Sequence, residues 1–301
     1  MIRKIKQTFP SLYEFYMNII AYRNSKLSLK GKKKLLEKMY SKLVGGTINW
    51  EHPIKYSEKM QWKKLYSIDP IETLLSDKFA VREWIKNKIG EEYLIPLYGV
   101  WDKFDDIDFD TLPNQFVLKT NHGSATNYIV KNKSLLNIKQ ARKDFNKWLK
   151  TDYGWKSLEL QYSKIERKII AEELLQFKGG IEDYKFLCFN GEIYYIWIDT
   201  DRFSNHKRNI YDLDWNIQPW NQKDYGNIEF DVPKPKNFDK MIEIVQTLCS
   251  GFSHVRVDLY NIDGRIYFGE MTFTNGSGFE KIIPDQYDIE LGQLWNLPKV
   301  F

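Results

Sequence analysis

The residues with the clearest chemical potential lie late in the 301-residue sequence, in HVRVDLYNIDGRIYFGEMTFTNGSG (254–278). Two alternating apolar–polar runs flank Asp263-Gly264 and predict a β-hairpin. Arg256 and Asp258 fall on its first strand and Glu270 on its second. Carboxylates on adjacent strands can share Mg2+, a hard cation that takes oxygen ligands and bridges phosphates. Register decides whether they meet. A two-residue turn sets Glu270 opposite Val257, on the face away from Asp258. A three-residue loop, Ile262-Asp263-Gly264 with Gly264 left-handed, sets Glu270 opposite Arg256, on the face of Asp258. A metal site requires the second register, and a solvated polar face with an Arg256–Glu270 pair fits it equally.

Three lysines precede the hairpin. Lys119 lies in QFVLKTN (115–121), whose alternation and β-branching predict a strand. The small-residue turn that follows, His122, Gly123, Ser124, Ala125 and Thr126, offers backbone N–H groups that can cradle phosphate oxygens while the lysine neutralises them. A surface turn with a solvated lysine would look the same. Lys78 in DKFAVR and Lys185 in DYKF carry equal charge with less context. Glu172 and Glu173 end the apolar run IIAEELL; there the Glu173 carbonyl and the Leu175 N–H could read the edge of an adenine ring, and a solvated strand end fits as well. Arg202 and Arg208, in DRFSNHKR, could hold a carboxylate bidentately or stand as exposed loop arginines.

The elements that must position these groups can be read coarsely. Helices are expected at 27–44, 57–66, 77–88, 138–150, 238–249 and 285–295, with an extended segment at 96–99. Strands are expected at 115–121, 127–131 and 168–175, and hairpins at 183–199, around Asn190-Gly191, and at 254–273. A helical front followed by antiparallel hairpins is an α+β organisation. It divides into a basic helical arm (1–50), a helical region bearing Lys78 (51–112), a first α+β segment (113–175) and a second (176–301).

Composition narrows the function class. At 43% hydrophobic, 28% charged and 16% aromatic, the chain is neither collagen-like, low-complexity nor a disulfide scaffold. The net charge of +5 conceals an asymmetry: residues 1–50 carry 11 Lys/Arg against Glu14 and Glu37, so the remainder is mildly acidic. That is not the whole-domain basicity of a nucleic-acid binder. Cys188 and Cys249 lie in apolar surroundings without a CxxC and read as buried thiols in a reducing compartment. The four scattered histidines fit no zinc spacing. No apolar run approaches the roughly 18–20 residues that span a bilayer. The N-terminus reads as an amphipathic helix rather than a signal peptide. Leu12, Phe15, Tyr16 and Ile19 are expected to pack on the body, with peripheral docking of residues 1–45 on an anionic membrane as the alternative. The expected location is cytoplasmic, extending to the inner face of the membrane.

The order of these pieces is more specific than any one of them. A lysine, a lysine with a small-residue turn, strand-end acids, a third lysine, Arg-x-Asp and Gly-Glu-x-Thr follow one another. This order resembles the ATP-grasp superfamily, in which two α+β subdomains clamp ATP. DKFAVREWI, FVLKTNHGS, IIAEELL, DYKFLCFNG and VRVDLY...FGEMTF are similar to blocks of its TupA-like, teichuronopeptide-biosynthesis branch, from about residue 51 to 298. The resemblance implies an ATP- and Mg2+-dependent ligase joining a carboxylate to an amine on a bacterial surface polysaccharide such as a capsule. It implies a sugar or uronic-acid acceptor, an amine or amino-acid co-substrate and no nucleic acid. By the same resemblance Lys78 and Lys119 would contact the phosphates, and His122, Gly123, Ser124 and Ala125 would form a flexible lid. Glu172, Glu173 and Leu175 would line the adenine pocket and Asp183 the ribose. Lys185 would reach the phosphates, and Asp258 and Glu270 would hold the metal; Arg256, Arg202 and Arg208 are candidates for the acyl carboxylate on the geometry of the arginine fork. Thr272 stands where the superfamily has a metal-ligating Asn, with Asn275 nearby, and Ala125-Thr126 replaces lid glycines, which implies a stiffer lid.

One rival reading rests on Asp199-x-Asp201 in IWIDTD, which looks like the acid pair of nucleotide-sugar glycosyltransferases. Such a pair normally follows a parallel sheet, whereas here it follows an Asn-Gly hairpin.

Overall fold

The computed structural model describes residues 10–67, 69–176, 181–200 and 206–298, with the backbone alone at 10–15 and 181–182. Its helices are α1 (Pro10–Ser25), α2 (Leu29–Leu43), α3 (Tyr56–Tyr66), α4 (Pro70–Ser76), α5 (Val81–Ile89), α6 (Ile138–Trp148), α7 (Gly154–Ser157), α8 (Leu160–Ser163), α9 (Phe238–Cys249) and α10 (Gln286–Leu294). Its strands are β1 (Leu97–Trp101), β2 (Phe116–Thr120), β3 (Asn127–Val130), β4 (Ile169–Glu172), β5 (Ile181–Phe189), β6 (Glu192–Thr200), β7 (Lys207–Tyr211), β8 (Asn221–Gln222), β9 (His254–Ile262), β10 (Arg265–Thr272) and β11 (Ile282–Ile283). The chain forms two compact units. The first comprises Met1–Lys34, Asp69–Val81 and Ile95–Leu174, the second Leu35–Ile68, Arg82–Leu94 and Leu175–Phe301.

The first unit is built on an antiparallel sheet of order β1-β4-β2-β3. β2 alternates cleanly: Phe116 and Leu118 are fully buried and join Ala141 and Phe145 of α6 in one apolar cluster. Lys119 therefore lies on the opposite face, where the register also places Glu172. β4 ends at Glu172, earlier than the expected strand.

The second unit carries a five-stranded antiparallel sheet of order β10-β9-β5-β6-β7. The β5–β6 turn is Asn190-Gly191, both left-handed (φ 53° and 80°), as an Asn-Gly hairpin requires. Val255, Val257 and Leu259 of β9 are fully buried, and β9 packs with α9. Each such aliphatic residue stabilises the fold by roughly 1.5–3 kcal/mol. The alternate residues, Arg256 and Asp258, face the other way.

The β9–β10 hairpin corrects the expected loop. Its turn has two residues, Asp263 and Gly264, at φ 52° and 91°, and Arg265 pairs with Ile262. That register would put Glu270 opposite Val257. A β-bulge intervenes: Phe268 pairs with Leu259, but Glu270 pairs with Asp258. Gly269 is the extra residue, and it shifts Glu270 onto the face of Asp258.

Several other expectations are corrected. The helix expected from residue 77 begins at Val81, because the Asp77 carboxylate caps the Phe79 and Ala80 N–H groups at 2.8 and 3.2 Å. α4 was not anticipated, although Asp69 caps the Ile71 N–H and Pro70 opens the helix. The basic arm is not separate from the body. Leu36, Tyr40 and Val44 are buried; the Tyr40 hydroxyl lies 2.7 Å from Ser57 Oγ, which donates to Asp288 Oδ2 at 2.5 Å. Tyr16 and Ile19, expected to pack, are exposed, and the side chains of Leu12 and Phe15 lie outside the described residues. Cys188 and Cys249 are free and buried, as expected.

A Cβ at Gly269 would stand 2.9 Å from the Asp258 carbonyl oxygen. Gly269→Ala is expected to cost about 1–3 kcal/mol in chemical denaturation and to move Glu270 off Asp258. Unchanged stability would show that the bulge tolerates a side chain.

Candidate active site

In the first unit, Lys78 is fixed by the residue before it and by Asn121. Asn121 Nδ2 donates to Asp77 Oδ1 at 2.8 Å, and the Lys78 N–H donates to the Asn121 carbonyl at 3.1 Å. Asn121 also clamps the start of β4, accepting at Oδ1 from the Lys168 N–H at 2.8 Å. The Lys78 ammonium donates to the Gly123 carbonyl at 2.9 Å. Asn121 and Asp77 were missed as site residues; their signal is an Asn at the end of one element and an Asp just before the lysine.

The turn after β2 is held at both ends. The Thr120 N–H donates to the Thr126 carbonyl at 3.0 Å, and the two hydroxyls lie 2.6 Å apart. Only Ser124 and Ala125 of the turn are exposed, and Ala125 adopts φ 55°. His122 departs from the expected role. Its ring is buried against Tyr153, centroids 5.4 Å apart. Burial, assisted by the charge of Arg167, pushes its pKa down to about 4. A neutral imidazole adds no positive charge for a phosphate.

Lys119 forms an ion pair with Glu172, which is buried. The Glu173 N–H donates to the Pro96 carbonyl at 2.9 Å, tying the end of β4 to the chain before β1. The division between the units falls between Leu174 and Leu175, so Leu175 belongs to the second.

In the second unit, one rung crosses the whole sheet: Glu270, Asp258, Lys185, Trp197 and Ile210, strand by strand. On the same face, Asp183 pairs with Asp199 and Asp199 with Arg208. The buried Lys185 ammonium lies 2.7 Å from Asp258 Oδ2, 3.1 Å from Asp183 Oδ2 and 4.0 Å from Asp199 Oδ2. Arg256 grips Asp258 bidentately, Nε to Oδ1 at 2.6 Å and Nη2 to Oδ2 at 2.7 Å. Its Nη2 also donates to Glu270 Oε1 at 2.9 Å and Thr272 Oγ1 at 3.1 Å. Burial opposes the Arg256 charge, but Asp258 and then Glu270 outweigh it and raise the pKa of the guanidinium.

Arg208 and Asp199 are corrected together. Burial opposes ionisation of Asp199, yet hydrogen bonds from Arg208, with the His206 ring 3.3 Å away, hold its carboxyl well below the usual range. Arg208 Nε and Nη2 meet Asp199 at 2.5 and 2.7 Å, and Nη1 donates to Gln222 at 3.0 Å. The fork expected to hold a substrate carboxylate is thus engaged by the protein, and so is the acid of the rival glycosyltransferase pair. Arg202 and Asp201 lie outside the described residues.

Asp258 and Glu270 are directly opposed on one face, and the Glu270 side chain is 40% exposed. Among the described residues, no group of three or more His, Cys, Asp or Glu could hold a metal. Mg2+ takes one or two carboxylates from a protein; Glu270 meets solvent, whereas both Asp258 oxygens accept from Arg256 and Oδ2 also pairs with Lys185, so Asp258 would ligate Mg2+ only on giving up part of that grip. Thr272 Oγ1 bonds Glu270 at 3.1 Å. Asn275, expected as a metal ligand, is turned elsewhere: its Oδ1 accepts from the buried Tyr56 hydroxyl at 2.6 Å. This unit also holds a cavity of about 510 Å³ whose lining includes Ile217, Gln218, Trp220, Asn221, Tyr225 and Asn227. Tyr225 stacks on the Arg208 guanidinium at 4.0 Å.

A sheet bearing the paired lysine and glutamate and a second bearing the carboxylate rung are the two parts of the ATP-grasp fold. The chain belongs to the TupA-like ATP-grasp family, whose sequence model matches residues 58–296. Solved structures similar to it include D-alanine–D-alanine ligase from Bacillus anthracis complexed with ATP (16% identity, TM-score 0.38, covering 71% of this chain and 55% of that one). L-amino acid ligase from Bacillus licheniformis is 12% identical (TM-score 0.46, 84% and 57%). Carboxyaminoimidazole ribonucleotide synthase from Aspergillus clavatus complexed with ATP is 15% identical (TM-score 0.39, 66% and 44%). The chain spans about half the length of these solved proteins. No curated protein matches significantly.

The burial of His122 makes a pH prediction. An unfolded histidine titrates near 6.5 and folded His122 near 4, so between these values the unfolded state binds the extra proton. Stability should therefore fall as pH drops through that window, by up to about 3 kcal/mol from this residue. His254, also held well below its usual value by burial, acts in the same direction. Denaturant titrations from pH 7 to 4 should show a shallower slope for His122→Asn; an unchanged slope would mean that His122 protonates in the folded state.

Proposed function

We propose that the protein is an ATP- and Mg2+-dependent carboxylate–amine ligase acting on a sugar acceptor of bacterial surface-polysaccharide assembly. The observation that carries the reading is the rung Glu270–Asp258–Lys185, set in a chain of the TupA-like ATP-grasp family. Lys78 and Lys119 of the first unit and Lys185 of the second bind phosphate oxygens. Ser124 and the backbone of Gly123 face them from the turn, and Glu173 and Leu175 contact the adenine. Asp183 takes the ribose. Asp258 and Glu270 would hold Mg2+, and the ion would supply charge neutralisation for the transferred phosphoryl group.

The substrate carboxylate attacks the γ-phosphorus and ADP leaves, giving an acyl phosphate. The amine then attacks the acyl carbon, phosphate departs, the nitrogen loses a proton and an amide remains. Phosphoryl transfer of this kind depends on positioning and charge stabilisation more than on a protein nucleophile. Arg256, which would have to release Glu270 and Thr272 to do so, is the candidate for the developing acyl oxyanion. The cavity supports a sugar acceptor, because Trp220 and Tyr225 present apolar ring surface beside the amides of Gln218 and Asn227.

Hydroxylamine supplied in place of the amine, with Mg-ATP and a panel of uronic and amino acids, should yield a hydroxamate in step with ADP. Stoichiometric AMP, or transfer from a UDP-sugar without ATP, would overturn the reading. Glu270→Gln is the informative variant, because that side chain is half-exposed. It should lower kcat by at least about a hundredfold and raise the Mg2+ requirement. Lys185→Met leaves Asp183 and Asp258 short of a cation and should also cost about 3–5 kcal/mol in stability.

A further inference from the structure

α1 is apolar on two sides. Ala21 and Asn24 are buried and Met17 and Ile20 are half-buried. This side packs on α7, with Asn24 Nδ2 donating to the Trp155 carbonyl at 2.9 Å. At 100° per residue, Tyr16, Ile19, Tyr22, Arg23 and Lys26 fall in a single stripe on the opposite side. All five are exposed, Tyr16 at 55%, Ile19 at 42% and Tyr22 at 67%. The Lys26 ammonium lies 5.5 Å from the Tyr22 ring centroid. The start of α2 adds Lys30 and Lys34, exposed and four residues apart. From Tyr16 to Leu36 the sequence contains no acid.

We infer that the exposed stripe of α1, followed in sequence by Lys30 and Lys34, is an interfacial docking surface for anionic lipid. A merely solvated helix face would carry charge without the aromatic rings. A face made for a protein partner would be depleted of lysine at its centre. Tyrosine and isoleucine interleaved with Arg and Lys suit the boundary between acyl chains and headgroups: the rings and the aliphatic chain enter, and the cations meet anionic headgroups. No described helix is long and apolar enough to cross a membrane, so the contact is peripheral. The inference is independent of the ligase reading, since none of these residues has a part in it.

The test uses the full chain and vesicles of phosphatidylcholine alone or mixed with phosphatidylglycerol. The protein should co-sediment with the mixed vesicles, not the neutral ones, and salt should release it. Removing cations should weaken binding about fivefold for each one lost, so Arg23→Glu with Lys26→Glu should lower the partition coefficient by more than tenfold. Tyr16→Ser with Tyr22→Ser should also lower it several-fold, with unchanged circular dichroism and unchanged ATP turnover. Equal partition onto neutral and anionic vesicles, or none, would overturn the inference, and the wild-type protein alone suffices to show it. Full binding by the tyrosine variant would overturn the interfacial part, leaving a purely electrostatic contact. A solution dimer that the tyrosine variant dissociates, without vesicle binding, would assign the stripe to a second copy of the chain.

Discussion

The charged face of the second unit depends on one extra residue in one strand. Side chains in a strand alternate, so every residue of β10 beyond Phe268 takes its face from the bulge at Gly269. Without it Glu270 would be paired with Val257, on the side of β9 that packs with α9. With it Glu270, Asp258 and Lys185 share a rung with Trp197 and Ile210. Glycine is needed there because the Asp258 carbonyl occupies the space of a Cβ. The positioning of the carboxylates is thus a backbone property, fixed before any side chain chooses a rotamer.

On that frame three cations, Lys185, Arg208 and Arg256, face four carboxylates, Asp183, Asp199, Asp258 and Glu270. Buried ion pairs gain little net stability, because desolvation offsets the attraction, but loss of one partner leaves a costly charge. The two ends of the cluster differ. Asp199 is closed off by Arg208, His206 and the rings of Trp197 and Tyr225 over the guanidinium. Glu270 opens to solvent. One end anchors the sheet, and the other presents the Glu270 carboxylate to solvent.

Much of this was legible in the sequence where the determinant was local. Asn190-Gly191 and Asp263-Gly264 announced both hairpins, and the alternation in QFVLKTN gave β2 and the face of Lys119. The bulge was not legible, because nothing in RIYFGEMTF shows that Gly269 will step out of register; only the backbone of the facing strand requires it. The Arg208–Asp199 pair was hidden because it depends on the register between β6 and β7, so each residue alone suggested a substrate or metal contact. Asn275 was misread for a related reason: its partner Tyr56 is 219 residues away. The exposure of Tyr16 and Ile19 was equally unreadable, since α1 has apolar residues on both sides and periodicity cannot choose which one packs.

The junction of α3 with the C-terminal part of the second unit has a consequence for biosynthesis. Ser57 donates to Asp288 through both its N–H and its hydroxyl, across 231 residues of sequence. Gln61 reaches the carbonyls of Ser277 and Gly278. At ribosomal rates of about 5–20 residues per second, α3 emerges on the order of ten to fifty seconds before these partners. During that interval Tyr56 and Met60 have only the part of their core that emerges earlier, Leu187, Phe189 and Trp197 among it. The second unit therefore gathers part of its core early and completes it only when the segment bearing Asp288 follows.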